Sequence, residues 1–112
     1  MKIELYFKRH RLGTLQFENG QYTYNSNLEG ERGAKEFASY ILLYGLENSN
    51  NLTSDKLWKV FADMLSNIKL RKDILNQIGA TDTDTDFEIL YKYAGIPQVD
   101  FGFHILRKIS ND

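Results

Sequence analysis

The sequence predicts an α+β fold, in which strands begin the chain, helices follow them and one strand ends it. Three observations lead to this prediction. Apolar and polar residues alternate along roughly the first 25 positions, apolar residues then recur at helical spacing through residues 57–94, and alternation returns at residues 99–104. The predicted order is a three-stranded antiparallel meander, an element of uncertain type, a three-helix segment and a C-terminal strand. At 112 residues, the chain is expected to form a single domain.

The meander is predicted from a period of two, which places alternate side chains on one face of a strand. Asn19-Gly20 separates the second and third strands, and both residues tolerate the positive φ of a type I′ turn. Leu12 is expected on the outer face of the second strand. The inward residues are predicted to be Ile3, Leu5, Phe7, Leu15, Phe17, Tyr22 and Tyr24.

The middle of the chain is less regular. Residues 26–36 are polar and contain glycine, which indicates a loop, with or without a short helix. Residues 37–46 fit a helix by the spacing of their apolar side chains and a strand by their composition, so both assignments stay open. Residues 47–51 read as a short polar linker inside the domain.

Three helices are predicted in the second half. Thr53-Ser54-Asp55 offers N-cap chemistry for the first, Gly79 is a natural end for the second, and Thr85 with Glu88 forms a capping box for the third, which ends at Gly95. The apolar residues expected to face the sheet are Leu57, Phe61, Met64, Leu65 and Ile68, then Leu70, Ile74, Leu75 and Ile78, then Phe87, Leu90, Tyr91 and Ala94.

Composition excludes several classes of protein. The net charge of −1 creates no global field that would attract nucleic acid or an anionic membrane. The chain contains no cysteine, which rules out disulfides, thiolate zinc sites and thiol catalysis. It has no apolar run of the ~20 residues that span a bilayer and no signal-peptide pattern. We therefore expect a cytoplasmic protein.

The candidate chemical motifs are incomplete. Asp82-x-Asp84-x-Asp86 resembles the start of a calcium loop, but that loop needs glycine and glutamate where this chain has Phe87 and Tyr93. The segment from Gly30 to Lys35 lacks the spacing of a phosphate-binding loop and reads as a surface loop. We expect no catalytic residues, no cofactor and no metal site.

Lys8-Arg9-His10-Arg11 is the densest basic run. It could serve a nucleic-acid-binding or regulatory adaptor, or it could be a solvated turn that discourages edge pairing. A pocket lined by some of the seven tyrosines, binding a small molecule, is a third alternative.

A partner-binding edge is predicted along the first helix and beyond it. Trp58 lies about 100° around the helix from the apolar stripe, so it is either a tryptophan at the edge of the core or an anchor for a partner. The segment from Ser66 to Lys69 is expected to link two helices and to face the partner. The predicted partner-binding residues are Trp58, Ala62, Ser66, Asn67, Ile68, Lys69 and Arg71.

Together these features resemble the N-terminal subdomain of HipA-type serine/threonine kinases, the toxins of a bacterial toxin–antitoxin class. That subdomain has a V-G-x-L-type second strand, an aromatic third strand, an F-x-x-L-L-P-E-G helix end and a D-x-F-x-L-L helix followed by glycine. The matching segments here are Leu12-Gly13-Thr14-Leu15, Gly20-Gln21-Tyr22-Thr23-Tyr24, Phe61-Ala62-Asp63-Met64-Leu65-Ser66-Asn67, Thr85-Asp86-Phe87-Glu88-Ile89-Leu90 and Gly95.

The resemblance spans Lys2 to Leu106, but Ser66-Asn67-Ile68 replaces the P-E-G of the kinases, and the kinase core is absent. It therefore implies a stand-alone, non-enzymatic, HipS-like antitoxin of a tripartite HipBST-like system. Such a protein would bind and inhibit a HipA-like kinase toxin. A helix-turn-helix DNA-binding protein would belong to the same complex, and the antitoxin itself would not contact nucleic acid.

Overall fold

The computed structural model describes residues 1–35, 43–98 and 104–109. This part of the chain contains five strands and four helices, joined by turns and loops. The predicted α+β class is confirmed. In chain order the elements are β1 (Lys2–Phe7), β2 (His10–Glu18), β3 (Gln21–Ser26), α1 (Leu28–Gly33), β4 (Leu52–Ser54), α2 (Lys59–Lys69), α3 (Lys72–Ile78), α4 (Asp86–Tyr93) and β5 (His104–Lys108).

The strands form one antiparallel sheet in the order β4-β3-β2-β1-β5. The predicted meander is confirmed, and Asn19 and Gly20 have φ values of 53° and 77°, as a type I′ turn requires. Strand β4 was not predicted, because residues 53–55 offer the residue types of a helix cap. The helix begins later, at Lys59, with Trp58 as an N-cap residue whose side chain makes no capping hydrogen bond.

A bulge in β2 corrects the expected orientation of Leu12. Leu5 of β1 pairs with Gly13, while the next residue, Tyr6, pairs with Arg11, so Leu12 is an extra residue in β2. The extra residue shifts the alternation by one position, and the Leu12 side chain is fully buried rather than outward. Strict alternation cannot predict such a shift, because the bulge is a property of the strand pair.

Helices α2, α3 and α4 share one core with the inner face of the sheet. The capping box of α4 is confirmed: the Thr85 hydroxyl accepts from the Glu88 amide at 3.1 Å, and the Glu88 carboxylate accepts from the Thr85 amide at 3.0 Å. Gly79 ends α3 at a φ of 72°, also as predicted. Fully buried core side chains include Ile3, Leu5, Phe7, Leu15, Tyr24, Phe61, Phe87, Leu90 and Leu106.

Two predictions fall wholly or partly outside the described residues. Of residues 37–46, where helix and strand were both left open, residues 37–42 lie outside the described part of the chain. Of the strand predicted over residues 99–104, residues 99–103 lie outside it. Within the described part, β5 begins at His104 and pairs with β1. Residues 28–33, within the segment predicted to be a loop with or without a short helix, form α1.

His104 lies at the start of β5 with its ring largely buried. It meets the Phe7 ring edge-on, with centroids 5.5 Å apart. Its Nε2 atom is buried and has no hydrogen-bond partner within the described residues. This burial lowers the pKa of His104 below its ordinary value, because the charged imidazolium is poorly solvated there.

We expect the domain to lose stability as the pH falls below about 6.5, the ordinary histidine pKa. The unfolded chain then takes up a proton at residue 104 before the folded chain does, which favours unfolding. Urea denaturation midpoints measured between pH 7.5 and pH 5.5 test this expectation. His104→Leu should flatten the pH dependence. An unchanged slope in that variant would contradict the assignment.

Candidate partner-binding surface

The chain turns sharply between α2 and α3 without glycine or proline. Leu70 keeps helical dihedral angles, whereas Arg71 is extended, with φ −111° and ψ 95°. The Arg71 amide donates to the Ile68 carbonyl at 3.0 Å, and the Arg71 carbonyl accepts from the Leu75 amide at 3.0 Å. One extended residue therefore ends one helix and starts the next. We call residues 66–71 the α2–α3 corner.

Leu70 stands at this corner with 81% of its surface exposed, more than any other large apolar residue that the structure describes. This corrects the prediction that Leu70 belongs to the core stripe of the second helix. The stripe would need one continuous helical register from residue 70 to residue 78. The extended Arg71 breaks that register, so Ile74, Leu75 and Ile78 pack against the core without Leu70.

Two exposed ion pairs involve residues of the corner. The Arg71 guanidinium donates to both carboxylate oxygens of Asp73, at 3.2 and 2.9 Å, and the Lys69 ammonium lies 3.0 Å from Asp86. The hydrogen bonds from Arg71 lower the pKa of Asp73 below its ordinary value. Because both pairs are solvated, they contribute little to the free energy of folding. Their effect is to pair the charges of Lys69 and Arg71 with carboxylates of the same domain.

The predicted partner-binding residues do not form one cluster. Ser66, Asn67, Lys69 and Arg71 are exposed at the corner, as expected of a partner-facing segment. Ala62 lies one turn before Ser66, and Trp58 lies at the far end of α2, whose 11 residues put roughly 16 Å between its ends. The prediction that residues 66–69 link two helices was wrong, because they form the last turn of α2.

Two of the predicted residues belong wholly or partly to the core. Ile68 is 3% exposed and lies in the core cluster, which confirms its place in the predicted apolar stripe and makes it the buried residue of the corner. Trp58 is half-buried and packs against the core, with its ring centroid 6.3 Å from that of Tyr24. This packing confirms the alternative of a tryptophan at the edge of the core, and part of the Trp58 surface stays exposed.

Leu70 was not predicted as a surface residue. Lys69 precedes it and Arg71 and Lys72 follow it. Charged neighbours do not by themselves indicate exposure, because successive helical residues point about 100° apart. The fully buried Phe87, for example, lies between Asp86 and Glu88. The sequence therefore carries no clear signal for the exposure of Leu70.

The acidic residues before α4 have a structural role. Asp84 accepts from the Lys92 ammonium at 2.7 Å and from the Thr81 amide at 2.9 Å. Lys92 also donates to the Gly79 carbonyl at 3.1 Å, which closes the connection between α3 and α4. The hydrogen bond from Lys92 lowers the pKa of Asp84. Among the described residues, no three acidic or histidine side chains are grouped so that they could hold a metal ion.

The basic run lies at the first hairpin, where Lys8 and Arg9 form the turn and Arg11 lies in β2. The Arg11 guanidinium is 3.0 Å from the Glu4 carboxylate, which offsets its charge.

The segment beginning at Gly30 is not a surface loop, because Gly30 and Gly33 pack α1 against β2. A Cβ atom at Gly30 would collide with the carbonyl oxygen of Arg11.

Fold and surface together define a compact α+β fold with an exposed apolar residue at a helix corner. No protein-family model matches the chain, and neither curated proteins nor solved structures provide a match. No helix in residues 1–35, 43–98 or 104–109 has the length and apolar character needed to cross a membrane.

Proposed function

We propose that this chain is a non-enzymatic antitoxin that binds and inhibits a HipA-like serine/threonine kinase toxin. The proposal includes a tripartite HipBST-like system, with a helix-turn-helix DNA-binding protein in the same complex. The choice of partner rests on the sequence resemblance to the HipA N-terminal subdomain. The choice of surface rests on one observation, the exposure of Leu70 at the α2–α3 corner.

Leu70 has the properties of an interface anchor. Its side chain is apolar and 81% exposed, and the exposed residues Ser66, Asn67, Lys69 and Arg71 surround it. An apolar centre with a polar rim is the usual arrangement of a protein–protein interface. Fully burying a leucine contributes about 2 kcal/mol. Lys69 and Arg71 are already paired within the domain, so the proposal assigns most of the binding energy to Leu70 rather than to charge.

The proposed mode of inhibition uses the exposed side of α2. The corner docks on the kinase near its nucleotide or substrate site, and the exposed part of Trp58 contacts it at the other end of the helix. The domain thereby supplies in trans a surface that longer HipA-type kinases carry in their own chain. In this proposal no residue of the antitoxin takes part in the chemical step.

Co-expression with the HipA-like kinase encoded beside this chain tests the proposal. We expect relief of the growth arrest caused by the kinase and co-purification of the two proteins in a stable complex. A catalytically inactive kinase should still co-purify, because the interaction does not depend on phosphoryl transfer. Failure of the wild-type chain to bind this kinase, or the absence of such a kinase gene beside it, would contradict the proposal.

A further inference from the structure

The two edges of the sheet differ in how readily they could pair with another strand. An edge strand presents backbone N–H and C=O groups to which a further strand can bind, and a short edge strand limits this hazard. β4 has only three residues, whereas β5 has five. The edge at β5 is therefore the one that needs further protection.

Gln98 occupies the outward side of β5 at Leu106. Its Oε1 atom accepts from the Leu106 amide at 2.8 Å, and its Nε2 atom donates to the Leu106 carbonyl at 2.8 Å. In an antiparallel sheet, the N–H and C=O of one residue point to the same neighbouring strand. Leu106 lies opposite Leu5 in the register with β1, and both of its polar backbone groups are bonded to Gln98, on the side away from β1.

A carboxamide carries the same donor and acceptor as a peptide group. Gln98 thus makes the pair of hydrogen bonds that one residue of a sixth strand would make. Its Nε2 atom also lies 3.1 Å from the Tyr93 carbonyl at the end of α4, which ties the side chain to the helix layer. The side chain is therefore fixed at both the helix and the strand.

We propose that Gln98 is an edge lock, which keeps a second copy of this chain from adding its own β5 to the sheet. Two β5 strands paired antiparallel about Leu106 would place Arg107 of one copy opposite Ile105 of the other, so no two arginines would oppose each other. Arg107 lies over the Tyr6 ring at 4.9 Å and Lys108 over the Tyr91 ring at 4.6 Å, so both cations are engaged within the domain. Charge repulsion therefore does not prevent a second β5 strand from pairing here, whereas the hydrogen bonds of Gln98 occupy the backbone groups that it would need.

Gln98→Met tests the lock, since methionine keeps the length of the side chain and removes both hydrogen-bonding groups. We expect the wild-type chain to keep the mass of one chain in light scattering over a wide range of concentration. The variant should approach twice that mass as its concentration rises. Gln77→Met, at an exposed glutamine of α3, is the matched control and should stay monomeric.

A folded Gln98→Met variant that stays monomeric would overturn the proposal, as would a wild-type chain that dimerises equally well. Hydrogen exchange of the Leu106 amide in the wild-type chain provides a second test, which does not depend on the folding of the variant. We expect slow exchange, because Gln98 holds this amide. Exchange as fast as that of an unprotected amide would also overturn the proposal.

Discussion

Replacing Gly30 with alanine is expected to lower the free energy of unfolding by about 3 kcal/mol, the upper part of the usual range for overpacking. The added Cβ atom would overlap the carbonyl oxygen of Arg11, which is backbone and cannot rotate away. Helix α1 is held on both sides of this contact. The Asn27 amide donates to the Leu12 carbonyl at 2.8 Å, and Ala34 is fully buried. Relief of the overlap therefore requires the helix to leave its position.

Gly33→Ala is the matched control, in the same helix three residues later. Its Cβ atom would lie 2.7 Å from Nδ1 of His10, which belongs to a side chain that can move. The intrinsic gain of about 1 kcal/mol from replacing glycine in a helix then offsets much of the cost. Urea denaturation of both variants measures the difference. Equal stability of the two variants would show that α1 does not pack on β2 in this way.

If the proposed HipA-like kinase is the partner, replacing Leu70 with serine is expected to weaken binding to it by about 30-fold or more, the effect of losing an interface anchor worth ~2 kcal/mol. The free energy of unfolding should change by less than ~0.5 kcal/mol, as for most surface substitutions. The reason is that Leu70 is 81% exposed and absent from the core. Titration of the purified kinase with each variant gives the dissociation constant, and thermal or urea denaturation gives the stability.

Leu28→Ser serves as the control for this experiment, because Leu28 is also an exposed leucine, at 53%, and lies on α1 rather than at the corner. It should bind the kinase as the wild-type chain does. Trp58→Ala is less informative, because half of the tryptophan supports the core and its loss should also lower stability. If Leu70→Ser bound as tightly as Leu28→Ser, the corner would not be the binding surface, even if the kinase were the partner.

Features set by neighbouring residues could be predicted from the sequence. The Asn19-Gly20 turn, the alternation in β1 and β3, the Gly79 helix end and the Thr85 capping box all depend on a few consecutive positions. Their energies are local, so the residue types alone specify them. The α+β order follows from the same patterns.

The candidate surface was predictable only in part. Ser66, Asn67, Lys69 and Arg71 were placed at an exposed edge, but Leu70 was assigned to the core and is exposed. Ile68 was assigned both to the core stripe and to the partner-binding residues, and the structure buries it. The error at Leu70 follows from the extended Arg71, which ends one helical register and begins another. Neither glycine nor proline marks this break, so helical spacing does not reveal it.

By itself, the sequence determined the class of fold, the meander and the helix ends that have their own capping residues. Only the tertiary structure decided the bulge that buries Leu12, the position of β4 at the sheet edge, the exposure of Leu70 and the bonding of Gln98 to Leu106. The physical reason is the range of the interactions. Turns and caps are stabilised by neighbours a few residues away, whereas each of these four features depends on contacts between distant segments, which a period in the sequence does not record.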